Sequence, residues 1–156
     1  MKKGEKGFSL IELLVVVAII GMLVGMAIPL LLDALDRSKQ RASLADMRTL
    51  GTSLQAYYAE KSAYPDPGGA NAPFPISTIH NSLVPYQVSA VHDFDAWNFP
   101  FIYYTDITSS YTVQCTGKDG VRVDLTGCPV GCVTSQTWQT YDNDMALIDG
   151  IFVWAP

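Results

Sequence analysis

Four groups of residues have types and spacings that could carry chemistry. Glu12 opens a run, residues 13 to 32, that contains no charged or hydrogen-bonding side chain. A carboxylate at the centre of such a run in a bilayer costs about 2.5–3.5 kcal/mol on insertion scales. Glu12 therefore either snorkels to the headgroups or meets a cation. The apolar run holds no cation, but proteolysis just upstream would create a new amino terminus that is one. Asp142-Asn143-Asp144 alternates hard oxygen donors, a pattern open to two readings: a solvated turn, or a calcium loop completed by backbone carbonyls. It is not an EF-hand, because counting from Asp142 puts Leu147 at position 6 and Val153 at position 12. Cys115, Cys128 and Cys132 allow three single pairings with one thiol left over. Cys128-Pro129-Val130-Gly131-Cys132 encloses a short loop shaped by Pro and Gly, so Cys128–Cys132 is the preferred disulfide and Cys115 is expected to be a buried strand residue. Finally, Gly21 and Gly25 form a G-x-x-x-G step that lets helix backbones approach, and Pro29 frees the carbonyl of Gly25.

Constellations for catalysis are missing. The sequence has no G-x-S-x-G, no phosphate-cradling glycine loop and no H-E-x-x-H. His80 and His92 stand far from the cysteines and no C-x-x-C is present, which argues against zinc. No enzymatic activity is expected.

The chain that positions these residues has 156 amino acids, 49% of them apolar and 16% charged, with a formal net charge of −5. An acidic chain is a poor polyanion binder. After residue 61 its only Lys and Arg are Lys118 and Arg122, too few to line a DNA groove. The layout is uneven. Sixteen of the 17 aromatic residues lie from Tyr57 onward and eight of the nine prolines from Pro65 onward, so the apolar N-terminal part and the remainder are different materials.

Residues 13 to 32 make a helix of roughly 30 Å, the thickness of a bilayer core. A cleaved secretory signal would have a shorter apolar region and an Ala-x-Ala-like exit, whereas here the run continues into Asp33-Ala34-Leu35-Asp36-Arg37. A membrane-spanning helix is the expectation. Lys2, Lys3 and Lys6 precede it and put the N-terminus in the cytoplasm. Beyond Asp33, Leu44, Met47, Leu50, Leu54, Tyr57 and Tyr58 recur at helical steps as one apolar stripe. Arg41, Asp46, Arg48, Thr49, Gln55 and Lys61 occupy the opposite face and read as solvated. One helix of about 50 residues is predicted, ended by Tyr64-Pro65-Asp66-Pro67-Gly68-Gly69. Residues 66 to 93 read as a connecting loop with a short helix at Ile76 to Leu83. Strands are predicted within 95–104, at Tyr111–Cys115 and at Ile151–Trp154. The fold class is therefore α+β: a long helix packed against a small three-stranded antiparallel sheet with a C-terminal loop.

The N-terminal residues carry a resemblance. Lys6-Gly7-Phe8-Ser9-Leu10-Ile11-Glu12-Leu13 resembles the signature of type IV pilins and pseudopilins: a short basic leader, Gly, an aromatic residue, three residues and a Glu opening a long apolar helix. The resemblance implies a prepilin peptidase that cuts between Gly7 and Phe8 and methylates the Phe8 nitrogen. It implies that Glu12 neutralises the Phe8 ammonium of a neighbouring subunit. Such a pair relieves two desolvation penalties at once, and breaking it strands a buried charge. It also implies a weak segment, Gly21 to Pro29, that stretches inside a filament. The leader holds three Lys and one Glu, so its removal takes the net charge to −7.

The C-terminal half resembles the major pseudopilin of type II secretion systems through Asp95, Trp97, Pro100 and Phe101, then Gly117, Asp119 and Gly120. It departs at Asn98-Phe99, where that pattern has Gly-Asn. The resemblance implies a structural calcium held by Asp142 and Asp144, with Asp119 and Asp124 as further contributors.

The expected organisation is a cleaved leader (1–7), an assembly half of the helix in the membrane (8–32), an amphipathic half (33–64) and a head (65–156). The expected function is a structural subunit of a type IV pilus-like filament, a major pseudopilin of a type II-like secretion system. The alternatives are a major pilin of a thin surface filament and a minor subunit acting as a binding module. Many pilins close a large loop with a Cys near the end, whereas Cys132 is followed by 24 residues without one. Glu12 argues for a repeating subunit over a tip protein. Implied partners are copies of itself, the peptidase, an inner-membrane assembly platform and minor subunits. Implied locations are the bacterial inner membrane, with a periplasmic head, and then the filament.

Overall fold

A computed structural model describes residues 7–70, 72–84, 88–122 and 144–154. The chain divides into two compact units between Asp36 and Arg37. Helix α1 runs Leu10–Lys61, 52 residues, with Pro29 inside it. Its continuity through Pro29 follows from the surrounding helix formers, because one proline removes one hydrogen bond without ending a long apolar helix in lipid.

In the first unit the large apolar side chains from Phe8 to Leu35 are exposed. An 18-residue window of α1 has the length and composition to cross a membrane, and none of it is buried inside the chain.

The second unit is the head. Among the described residues its sheet is a five-stranded antiparallel meander in the order β1 to β5. The strands are β1 Phe74–Pro75, β2 Ile102–Thr105, β3 Tyr111–Cys115, β4 Met145–Ile148 and β5 Ile151–Trp154. Val113 faces Tyr103 on β2 and Leu147 on β4 in the register. The predicted three strands become five for two reasons. A two-residue edge strand beside Pro73 is read as loop, since it pairs along one side only. Met145–Ile148 is buried throughout, so it shows no alternation to mark it as a strand. The strand expected within 95–104 starts at Ile102, because residues 95–98 form a turn. A 3-10 turn at Ile76–Ile79 and the helix α2, His80–Leu83, fill the short helical stretch expected there.

Met47, Leu50 and Leu54 of α1 enter one core with Ile76, Ile79, Leu83, Tyr103, Tyr111, Val113 and Leu147. The expected stripe is thus covered by the sheet, and small residues widen it. Ser43, Gly51 and Ser53 are also buried. A Cβ at Gly51 would meet Leu147 Cδ2 at 2.5 Å, so glycine there sets how closely α1 approaches β4. Tyr58 lies at the margin of the stripe and stacks on Tyr64 with centroids 4.7 Å apart.

Tight turns close the meander. Asp149 and Gly150 both have positive φ, 49° and 88°, as a two-residue hairpin between twisted strands requires. Asp149 also accepts the Tyr111 N–H at 2.9 Å, and its own N–H donates to the Tyr111 carbonyl. Between β2 and β3, the Asp106 carboxylate accepts the backbone N–H groups of Thr108, Ser109 and Ser110. The strained Ile107, φ 70°, offers its carbonyl to the Tyr64 N–H at 2.8 Å, tying this loop to the exit of α1.

Candidate functional site

At the start of α1, Ser9 precedes the first helical residue and Glu12 sits three positions on. The Glu12 Oε2 accepts the Ser9 N–H at 2.9 Å, and the Ser9 carbonyl accepts the Leu13 N–H. This is the reach-back half of a capping box, which satisfies a donor the helix leaves orphaned. The carboxylate also sits at the positive end of the helix dipole. Sequence reading missed this local duty of Glu12, although Ser-x-x-Glu is its signal. Phe8 is 72% exposed, one residue before Ser9, so Phe8 and Glu12 share the same end of α1. Space around Gly7, Gly21 and Gly25 is open, with nothing within 4 Å of where a Cβ would stand. The G-x-x-x-G step thus has no partner helix within the described residues.

The second group is the turn before β2. The Asp95 carboxylate is 7% exposed and accepts the N–H groups of Trp97 and Phe99 at 2.9 and 2.8 Å. The Asp95 N–H donates to the Phe99 carbonyl at 2.8 Å. Asn98 has φ 71°. Asn is among the few residues that tolerate this region, so it can stand where the resembling pattern has Gly. The departure at Asn98-Phe99 therefore leaves the turn geometry possible. Phe99 covers Gly120, which has φ 67°; a Cβ there would overlap the Phe99 ring. Sequence reading matched Asp95 and Gly120 separately and did not see that Phe99 joins their turns.

Cys115 is buried in β3, and its thiol donates to Asp95 Oδ2 at 3.1 Å. Burial, reinforced by the Asp95 charge, pushes the thiol well above its ordinary range. Cys115 is therefore held as the unreactive thiol. Cys128 and Cys132 lie outside the described residues.

The calcium candidates divide in the same way. Asp124 and Asp142 lie outside the described residues. Asp144 is buried just before β4 and accepts a hydrogen bond from Gln114 Nε2, while Gln114 Oε1 accepts the Tyr104 hydroxyl at 3.0 Å. Asp119 is exposed and accepts the Val121 N–H at 2.9 Å. Among the described residues no three His, Cys, Asp or Glu side chains gather as metal ligands. Those residues alone do not make a calcium cage. The histidines make carboxylate contacts instead: His80 Nδ1 lies 3.1 Å from Asp93, and His92 Nδ1 lies 2.9 Å from Asp46 of α1.

The site is thus an exposed apolar helix with a capping Glu12 at its start. The prokaryotic N-terminal methylation motif matches residues 2–28. Over its N-terminal segment the chain is similar to type IV pilins and to type II secretion core proteins. The type IV major pilin protein PilA of Myxococcus xanthus is 43% identical over 62 residues, 40% of this chain and 28% of that protein. The type II secretion system core protein G of Vibrio cholerae is 37% identical over 67 residues, 42% of this chain and 46% of that protein. The core protein G of Pseudomonas aeruginosa is 31% identical over 64 residues, 41% of this chain and 45% of that protein. The chain thus spans less than half the length of these relatives. No solved structure matches it. The matched motif spans Phe8, Glu12 and the apolar residues of α1 as far as Ile28.

Proposed function

We propose that the chain is a repeating structural subunit of a type IV pilus-like filament, and within that class a major pseudopilin of a type II-like secretion system. The observation that carries this is the apolar part of α1. It is exposed throughout the chain, yet it bears Glu12 beside the motif's Phe8. An exposed stripe of this length needs lipid before assembly and other copies after it. In this reading a prepilin peptidase cuts after Gly7, the Phe8 amino group is methylated, and Glu12 of one subunit pairs with the Phe8 ammonium of the next. Gly21, Gly25 and Pro29 supply the compliant stretch. The membrane stage has its N-terminus cytoplasmic and its head across the inner membrane, and an assembly platform and minor subunits serve as partners. We assign a structural calcium to the loop ending at Asp144, with Asp142 as the second carboxylate and Asp119 and Asp124 beside them. Buried Asp144 supports this, since a cation offsets the desolvation of a carboxylate.

The turn at Asp95, Trp97, Pro100 and Phe101 favours the secretion reading. The 43% identity to the Myxococcus pilin favours the second, a thin surface filament. Expression with a type II assembly system, and separately with a pilus system, followed by negative-stain microscopy and fractionation, tests both. Short periplasmic structures support the first, long surface fibres the second, and failure to assemble in either overturns the filament reading.

A further inference from the structure

A cleft of about 430 Å³ lies between α1 and the β4–β5 hairpin, within the head. Buried Tyr111 and Leu147 form its apolar floor, and Gln55, Gly150 and Phe152 stand at its walls. Glycine at 150 keeps it open, because a Cβ there would sit 2.7 Å from Gln55 Nε2. Arg48 enters from α1 with its guanidinium carbon 5.2 Å from the centroid of the Phe152 ring. Stacking on a ring steadies a guanidinium without consuming its N–H donors, which lie in its own plane. Arg48 meets no carboxylate among the described residues. The Thr52 hydroxyl is committed to the Arg48 carbonyl at 2.9 Å and the Gln55 side chain hydrogen-bonds Tyr111, so the charged group left facing the opening is the guanidinium.

The fitting ligand is a carboxylate on a short apolar stem, bound by the planar fork of Arg48 with the stem against Phe152 and Leu147. The wall bearing Phe152 is β5, which among the described residues is an edge strand paired only with β4 and carries an exposed Ile151. Its outer backbone groups suit an extended segment lying alongside.

Charge selects the source of that carboxylate. The chain without its leader carries a formal −7, and after residue 61 it holds only Lys118 and Arg122 as Lys or Arg. Copies brought together repel unless their few cations face a neighbour's carboxylates. We propose that the Arg48 cleft is a contact between copies of this chain, and that it receives an Asp or Glu side chain of a second copy. The proposal rests on the filament reading for its setting but predicts one particular contact within it.

The test uses the full chain in cells, with a photoreactive benzophenone amino acid at Thr52 on the cleft wall. Crosslinked dimers are expected, with an Asp- or Glu-bearing peptide of the second copy attached at residue 52. Arg48→Gln should reduce the dimer at least fivefold, and Arg48→Lys should restore part of it. Peptidase processing and the melting temperature of the detergent-purified chain should stay unchanged. No dimer, attachment to a different protein, or dimers unaffected by Arg48→Gln would each overturn the proposal. The crosslink is read in membranes as well as filaments. A wild type that never assembles therefore defeats the filament reading, while the dimer result still decides the cleft.

Discussion

The ring of Phe99 lies over Gly120 and occupies the space a side chain there would need. One aromatic residue thus locks the Asp95 turn onto the turn that follows β3. Both turns depend on positive φ, at Asn98 and at Gly117 and Gly120. Gly120→Ala adds the cost of a left-handed alanine, about 1–3 kcal/mol, to the overlap with Phe99. The head should lose about 2 kcal/mol or more, measured by urea denaturation. Combining it with Phe99→Ala should recover the overlap part only. Full additivity of the two losses would show that the rings and turns do not meet.

Glu12 caps α1, and the filament proposal gives it a second role that one pair of substitutions separates from the first. Glu12→Gln keeps an acceptor for the Ser9 N–H and so keeps the cap, but it removes the charge. Glu12→Ala removes both. Cleavage after Gly7 should survive in each. Filament yield should fall steeply in both if charge pairing with Phe8 drives assembly. Wild-type yield from Glu12→Gln would show that only the cap matters.

Much of this was legible in the residues, and the exceptions have physical causes. The 52-residue helix announces itself through length, periodicity and the Pro-Gly stop. The Asp149-Gly150 turn gives away β5, because Gly followed by an apolar run is a local signal. Local signals are missing for β4, whose four side chains are all buried. The opposite face of α1 read as solvated, yet Arg48 stacks on Phe152 and Asp46 meets His92. Neither partner is near in sequence, and a charged side chain does not declare what it will lie against. Asn98 at positive φ was legible only as a departure, until the turn showed that asparagine can hold that conformation.

Asp106 gives the head an acid-sensitive loop. Desolvation raises its carboxyl, but hydrogen bonds from Ser109, Ser110 and Thr108 outweigh this and hold it at about 2, below its usual 3.8. A folded value below the unfolded one stabilises above the unfolded value, and that contribution is lost as pH falls through the folded one. The advantage of wild type over Asp106→Asn should therefore be constant above about pH 5 and shrink between about pH 4 and 2. Because Asp106 is only partly buried and solvent screens it, the advantage is small. Urea midpoints across that range check it, and a gap that widens on acidification would contradict the assignment.

Cys115 should behave as a buried thiol and not as a redox centre. Burial pushes its thiol up, and its proton is engaged by Asp95. A maleimide reagent at neutral pH should leave Cys115 unlabelled in the folded chain and label it fully in denaturant. Intact mass counts the thiols. If Cys128 and Cys132 are disulfide-bonded, one label is gained on denaturation, and two more appear after reduction. Labelling of Cys115 in the native state would mean that β3 opens more readily than its burial implies.

Calcium is the remaining test of the head. If Asp142 and Asp144 hold an ion, removing it leaves the buried Asp144 carboxylate without that compensation, and the loop before β4 loses its pin. Chelation should lower the melting temperature of a soluble chain starting at residue 33. Calcium should restore it with saturation, following the stabilisation expected when a ligand binds only the folded state. Magnesium should restore less, since it demands a smaller and stricter octahedral shell. Asp142→Asn should abolish the response while leaving the Gln114–Asp144 bond in place. Asp119→Asn tests the outer contributor, whose carboxylate already holds the Val121 N–H and should matter less. An unchanged melting temperature on chelation would remove the ion and leave Asp142-Asn143-Asp144 as a solvated turn.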